Sequence, residues 1–376
     1  MQTVLARIIG GIYRGAMKPY FFAHDAEKVH DRMTQVGIKL GHSAFWRWIV
    51  RFALRYDHPM LEQVVCGIRF SNPVGLAAGF DKEGLLVDIL PAVGFGHAEI
   101  GSITGLPSLG NAKPRLWRLR ASKALVVNYG LNSTGSAAVA KRLKNKSFTL
   151  PVGTSVAKAN IQATAQDKAG VEDYLKSFKA FSDIGDYTTV NISCPNAFGG
   201  QPFNDVARLE TLLDELRTVP TKKPVFVKLP PDLACEQVDR ILEICTKYQV
   251  SGLVCANLTK DRDNKKIRAK IVEKVIPGPG GISGKVVEEL SNDLLSYIYE
   301  KSGDRFALIG VGGIFSAEDA YEKIRRGATL VQLITGMVYN GPQLIGEINR
   351  GLVRLLKRDG YSTLSQAVGS AHRSAK

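Results

Sequence analysis

The chain has 376 residues, 45% of them hydrophobic, and carries 50 Lys and Arg against 35 Asp and Glu, a net charge of +15. It is long enough to bury a large core, and its charge favours anionic partners: an acidic membrane surface, a phosphorylated ligand or nucleic acid. Nucleic acid is the weakest of these and no nucleic-acid partner is expected, because the chain has no basic arm and no zinc-finger, RRM or KH signature. No run of 18 apolar residues forms a membrane span, and the N-terminus lacks a cleavage-site pattern. Cysteines at 66, 194, 235, 245 and 255 form no CxxC pair, which predicts free thiols in a reducing compartment.

Residues 1–60 read as a helical extension. Val4, Leu5, Ile8, Ile9 and Ile12 recur at helical spacing, and Asp25 stands as an N-cap before Ala26-Glu27-Lys28-Val29-His30. In the stretch 45–56, Arg47, Arg51 and Arg55 share one helical face, with Trp48, Phe52 and Leu54 elsewhere. The region holds nine Lys/Arg and four Asp/Glu. Two readings stand side by side: a helical cap with a solvated arginine face, or helices lying on anionic lipid with aromatics at the headgroup boundary.

From residue 61 onward the pattern becomes a barrel. Short apolar runs at 73–78, 98–103, 152–156, 187–192, 225–229, 252–256, 307–311 and 330–334 alternate with helical stretches. Eight such units predict an α/β fold, a (β/α)8 TIM barrel behind the N-terminal helical extension. Polar residues and glycines follow most of the runs, where a barrel builds its active site.

Three features carry chemistry. The clusters Gly280-Gly281-Ile282-Ser283-Gly284 and Gly310-Val311-Gly312-Gly313-Ile314 serve either as tight βα turns or as phosphate cradles, since glycine lets backbone N–H groups approach an anion. Their position late in the chain favours the cradle, and Ser316-Ala317-Glu318-Asp319 after the second predicts a helix start. Lys228 lies inside the apolar run Val225-Phe226-Val227-Lys228-Leu229, so it must meet an anion or point into a polar site. In Asn191-Ile192-Ser193-Cys194-Pro195-Asn196, two amides flank a cysteine at a strand end, and Asn257 adds a third. Amides that both donate and accept suit a planar ligand such as a pyrimidine. Beside them Cys194 reads as a reactive thiol rather than an inert small hydrophobe.

Seven ordered segments resemble the dihydroorotate dehydrogenase family over almost the whole chain. They are Asn72-Pro73-Val74-Gly75-Leu76-Ala77-Ala78-Gly79-Phe80-Asp81-Lys82, Glu99-Ile100-Gly101-Ser102-Ile103-Thr104, Asn191 to Asn196, Val227-Lys228, Gly281-Ile282-Ser283-Gly284-Lys285, Ile309-Gly310-Val311-Gly312-Gly313 and Leu330-Val331-Gln332-Leu333. The resemblance implies oxidation of dihydroorotate to orotate in pyrimidine (UMP) biosynthesis, with FMN as cofactor and no metal. Cys194 would be the base that takes the C5 proton while hydride leaves C6 for the flavin. FMN would contact Ala77, Ala78, Gly79, Lys82, Ser102, Ser155, Asn191, Lys228, Ala256, Ser283 and Ile334, with Gly284, Gly312, Gly313 and Thr335 about its phosphate. Lys82, Asn128, Tyr129, Gly130, Leu131, Asn191, Asn196 and Asn257 would hold the substrate. Residues 1–60 look like the extension of the membrane-associated, quinone-using class, which forms a tunnel for quinone, with His30 and Arg118 beside it. That implies a peripheral protein on an anionic membrane surface, the cytoplasmic face of the inner membrane in a bacterium. The sequence does not fix oligomeric state; a monomer is the simplest expectation.

The chain departs from that class where it matters most. Quinone-using members usually carry serine in place of Cys194, Phe in place of Leu131 and Thr in place of Ala197. A thiol is acidic enough to act without that Thr. Val127 or Asn128 replaces a substrate-contacting Asn, Ser155 a flavin-contacting Asn, and Ile334 a Tyr near the quinone. Three rivals remain: a soluble-class enzyme using fumarate or NAD, another pyrimidine-directed flavin barrel, and a barrel that merely binds a phosphorylated ligand.

Overall fold

The computed structural model describes residues 2–193 and 205–373. Eight parallel strands close into a barrel: β1 (Val74–Leu76), β2 (His97–Thr104), β3 (Val152–Ala157), β4 (Tyr187–Asn191), β5 (Val225–Leu229), β6 (Gly252–Cys255), β7 (Ala307–Val311) and β8 (Leu330–Leu333). Each pairs with its neighbour in chain order, and β8 returns to β1 through Val331↔Val74, Gln332↔Gly75 and Leu333↔Leu76. All eight runs expected from the sequence are these strands. The runs are nearly continuous in apolar and β-branched residues because both faces are buried, one by the barrel interior and one by helices.

An eight-stranded barrel has room for side chains and little else, so large residues must face small ones. At the lower end the Tyr187 ring occupies the space in front of Gly153, and the His97 ring occupies that in front of Gly75; a β-carbon on either glycine would overlap the ring. A two-stranded antiparallel hairpin, Gln63–Val65 with Ile68–Phe70, closes this end. Its Val65 and Phe70 pack on Tyr187, Phe226, Val254 and Ile309.

Four helices precede the barrel. α1 (Gln2–Ile12) continues through a π-helical turn (Tyr13–Met17) into α2 (Lys18–Ala23), followed by α3 (Ala26–His42) and α4 (Ala44–Leu54). Asp25 caps α3 as its position suggested, accepting from the Lys28 N–H at 2.8 Å, and the Ser43 hydroxyl accepts from Trp46 N–H at the start of α4. No helix among the described residues is long and apolar enough to cross a membrane. The four described cysteines are free thiols, as their spacing predicted.

One element went unexpected. Leu116–Leu119 and Ala124–Val127, inserted after β2, form an antiparallel sheet with Gly281–Gly284, inserted after β6. The first glycine cluster is therefore an edge strand rather than a barrel turn, paired Gly281↔Val127 through Gly284↔Ala124.

Gly153→Val should force the Tyr187 ring out of its position and cost about 3 kcal/mol, the upper end of core overpacking. A urea or thermal melt reads this as a lowered midpoint, and an unchanged midpoint would show that the ring and Gly153 do not share that space.

Candidate functional site

The C-terminal ends of the barrel strands open into a cavity of about 610 Å³, within the usual range for small-molecule sites. One side of its floor is small and flat: Ala77, Ala78 and Gly79 follow β1, and the nearest atom to a β-carbon on Gly79 would be Ile334 Cδ1 at 3.8 Å. Its outer reach is lined by apolar side chains of the N-terminal helices, among them Ile9, Met17, Phe21, Val29, Met33 and Leu40.

A ribbon of hydrogen bonds crosses the mouth from strand to strand. Ser155 and Ser102 share a hydroxyl bond of 2.7 Å, and Asn191 Nδ2 donates to Ser102 Oγ at 2.8 Å. The Asn191 Oδ1 accepts from both the backbone N–H and the hydroxyl of Ser193, at 3.1 and 2.8 Å. Asn257 Nδ2 donates in turn to Ser193 O and Oγ, at 3.1 and 3.0 Å. Because each amide is held by a neighbour, its orientation is fixed before a ligand arrives. Lys228 lies in β5 directly opposite Asn191 and reaches the cavity wall, as a polar residue inside an apolar run should.

The opposite end is built from β7, β8 and the edge strand. Gly312 (φ 111°) and Gly313 (φ 77°) follow β7 in a backbone region that disfavours side chains, and a β-carbon on Gly313 would overlap Glu288. Ser283 and Thr335 share a hydroxyl bond of 3.0 Å beside Gly284. Ser316 caps the following helix, Ala317–Arg325, by accepting from Asp319 N–H, so the expected helix start is present.

The helical roof is fastened by charge. Arg115 grips the Glu27 carboxylate of α3, through Nη2 at 2.8 Å and Nε at 3.2 Å to each oxygen, with Lys113 at 3.2 Å. Burial pushes the Glu27 carboxyl up, but hydrogen bonds from Arg115 and Lys113 outweigh it, leaving Glu27 below the usual range. His30 binds the backbone oxygen of Phe80 through Nε2 at 2.9 Å, and burial with the nearby Lys82 charge keeps its pKa low. Arg118 donates to His24 O at 2.8 Å and stands 4.8 Å over the Phe22 ring.

Lys82 is strongly perturbed on the cavity wall. Its Nζ sits 3.2 Å from the centroid of the Tyr129 ring, and burial, reinforced by the Arg115 charge, pushes its pKa down to about 7. The Tyr129 hydroxyl, also on the wall, is buried with no hydrogen-bond partner among the described residues. A cation held on an aromatic face beside an unpartnered hydroxyl is arranged for an incoming acceptor.

Comparison with known proteins decides the family. The sequence profile described as Dihydroorotate dehydrogenase matches residues 60–356. The chain belongs to the dihydroorotate dehydrogenase family. It is similar to the dihydroorotate dehydrogenase (quinone) of Trichormus variabilis, 36% identical over 374 residues, covering 95% of this chain and 98% of that one. A dihydroorotate dehydrogenase (quinone) from a Mycobacterium species is 41% identical over 315 residues, covering 84% and 86%. Among solved structures, the crystal structure of DHODH in complex with ferulenol from Eimeria tenella superposes with a TM-score of 0.81. It is 27% identical and covers 92% of this chain and 96% of that one.

Most residues singled out from the sequence of this dihydroorotate dehydrogenase family member converge on the one cavity. Ala77, Ala78, Gly79, Lys82, Ser102, Asn191, Lys228, Ala256, Ser283, Gly284, Gly312, Gly313, Ile334 and Thr335 line it, as do Tyr129, Gly130, Leu131, Asn257, His30 and Arg118. Ser155 stands one hydrogen bond behind the wall, under Ser102. Asn128 does not line the cavity: its side-chain Oδ1 accepts from Asn111 Nδ2 at 2.9 Å, and Asn111 is in turn tied to Asn160. Cys194 and Asn196 lie outside the described residues. Sequence reasoning missed Asn132, which lines the cavity with a buried Oδ1 that has no partner among the described residues. Its place three residues after Tyr129 would have flagged it, had a second amide been sought there.

A carboxylate ligand such as orotate should bind best while Lys82 is an ammonium. In the free protein that state is half populated near pH 7 and drains away above it, so the orotate dissociation constant should rise up to tenfold per unit above about pH 7. Lys82→Met should bind weakly and without that slope; a wild-type titration flat from pH 6 to 9 would remove Lys82 as the carboxylate's partner.

Proposed function

We propose that this chain oxidises (S)-dihydroorotate to orotate, with FMN as cofactor and quinone as the electron acceptor, in pyrimidine biosynthesis. The observation that carries the reading is the convergence of Lys82, Asn191, Asn257 and Lys228 with a two-glycine cradle on one cavity whose outer reach is apolar. The residues present fit FMN. Ala77, Ala78 and Gly79 leave a flat face for a ring system, the Ser102–Asn191 pair and Lys228 offer polar contacts at one end, and Gly312 and Gly313 leave backbone exposed to a phosphate at the other. Bound FMN would supply the two-electron chemistry that no side chain here can perform.

The protein's own part is holding and proton transfer. Lys82 would meet the substrate carboxylate, and Asn191, Asn196 and Asn257 would read the alternating N–H and C=O edge of the ring. Cys194, as thiolate, would take the proton from C5; a thiol needs less help than a serine, which suits a chain with Ala197 in place of a hydroxyl-bearing neighbour. Asn128 is spent on Asn111, which leaves Asn132 as the amide nearest the substrate on that side.

The N-terminal helices would guide quinone to the flavin past His30 and Arg118. They also carry much of the exposed large apolar surface: Val4, Ile8, Ile12, Phe45, Trp48 and Phe52. With Arg47 and Arg51 on the same helix as those aromatics, this face suits an anionic bilayer surface without crossing it. On that reading the protein is peripheral to a membrane, on the cytoplasmic face of the inner membrane in a bacterium.

Steady-state oxidation of dihydroorotate with a ubiquinone analogue, fumarate and NAD compared on the full chain tests the acceptor; turnover with fumarate or NAD and not with quinone would move the chain to the soluble-class reading. Cys194→Ser should keep flavin and orotate binding yet slow flavin reduction roughly 10²-fold at neutral pH, with the pH profile moved upward. Unchanged stopped-flow reduction would remove Cys194 as the base. Trp48→Glu together with Phe52→Glu should abolish flotation with anionic vesicles while leaving soluble-dye turnover intact; equal flotation would refute attachment through this face.

A further inference from the structure

Lys323 is fully buried on the helix Ala317–Arg325, behind the Gly312-Gly313 loop. Its Nζ donates to Ser291 Oγ at 2.8 Å and Asn292 Oδ1 at 2.7 Å. Ser291 Oγ lies against the carbonyls of Val311 and Cys255, and a β-carbon on Gly312 would come within 3.5 Å of that hydroxyl. Gly310 gives passage to the lysine stem, its own β-carbon position falling 3.0 Å from Lys323 Cδ. The ammonium thus stands one hydroxyl behind the cradle.

No carboxylate among the described residues bonds to it, though the charges of Glu288 and Asp319 favour its protonated form from a distance. The nearby carboxylates Glu288 and Asp319 are both held by Lys285, at 2.7 Å each. The Cys255 thiol is pushed up to about 12 by burial and stays neutral, and the Arg326 guanidinium, paired to Glu322 at 2.7 Å, adds positive charge. Hydrogen bonds to a hydroxyl and an amide occupy two of the three N–H donors of a buried cation without cancelling its charge, a costly state for a folded protein. The cradle it backs has the opposite shortage: Ser283, Gly284, Gly312, Gly313 and Thr335 offer neutral donors and no cation.

We propose that Lys323 is the counter-charge for the phosphate of the bound flavin, a positioning residue acting through Ser291 and the Gly312-Gly313 loop. The proposal rests on the FMN reading above. Phosphate arrival supplies Lys323 with an anion not already claimed by Lys285, and Lys323 supplies the charge that the cradle lacks. With no phosphate bound, burial holds Lys323 down to about 7. The phosphate opposes that, so flavin phosphate binding above neutral pH brings a proton to the lysine.

The test is competition between FMN and riboflavin, which differ only by the phosphate, on full-chain holoprotein. Bound FMN is displaced by added riboflavin, and dilution gives the absolute FMN affinity. Lys323→Met should weaken FMN roughly 10- to 100-fold and riboflavin less than twofold. A loss shared equally by both flavins, or no loss, overturns the proposal, because a merely structural lysine would not distinguish them. If Lys323→Met does not fold, the wild-type preference for FMN over riboflavin decides: it should fall between pH 7 and 9, and a constant preference overturns the proposal. Wild type that binds neither flavin removes the FMN reading itself, and this inference with it.

Discussion

One buried ion pair ties the helical roof of the cavity to the edge sheet on the barrel. Arg115, on the segment leading into the edge sheet, and Glu27, in the first turn of α3, are both nearly buried and bonded through two nitrogens. A pair in this setting adds little net stability over an apolar contact, since desolvating both charges offsets most of the attraction. Its value is geometric: Arg115 also donates to the carbonyls of Leu109 and Asn111, so the guanidinium fixes α3, the loop and the edge sheet in a single arrangement. Remove Glu27 and a buried cation is left beside Lys82. The two are already coupled, for the Arg115 charge is part of what keeps Lys82 low.

That coupling separates what the sequence makes legible from what it does not. The barrel strands could be read because each must be apolar on both faces, and chemistry could be located because polar residues after such strands have only the mouth to occupy. Asp25 and Ser316 could be read because an N-cap is a local device, complete within four residues. The edge sheet could not. Leu116–Leu119, Ala124–Val127 and Gly281–Gly284 are only four residues each, and the pairing of the last two joins segments more than 150 residues apart. For the same reason Gly280 to Gly284 reads from its composition as a glycine loop, a turn or a phosphate cradle, while Gly281–Gly284 folds as a strand.

Asn128 and Asn132 illustrate the finer limit. Both are amides within four residues of each other near Tyr129-Gly130, and composition ranks them equally. What distinguishes them is Asn111, which sits beyond the hairpin and takes up the Asn128 side chain, leaving Asn132 on the wall. Assignments that depend on which neighbour claims a hydrogen-bonding group need the tertiary structure, because the claim is made across the fold.

The chain's basic charge acquires its meaning at the same scale. A net +15 spread over a surface says only that anions are welcome, and most of the Lys and Arg side chains are solvated or paired with neighbouring carboxylates. Two amines are different. Lys82 and Lys323 stand at opposite ends of the site, each withdrawn from water, each pushed down to about 7 by burial, and neither bonded to a described carboxylate. A protein that only needed to fold would replace either with an apolar residue. Retaining both makes sense if the missing anions arrive from outside, a carboxylate at the Tyr129 ring and a phosphate at the two-glycine loop. The folded chain then carries, as strain in two lysines, a record of the two charged ends of what it binds.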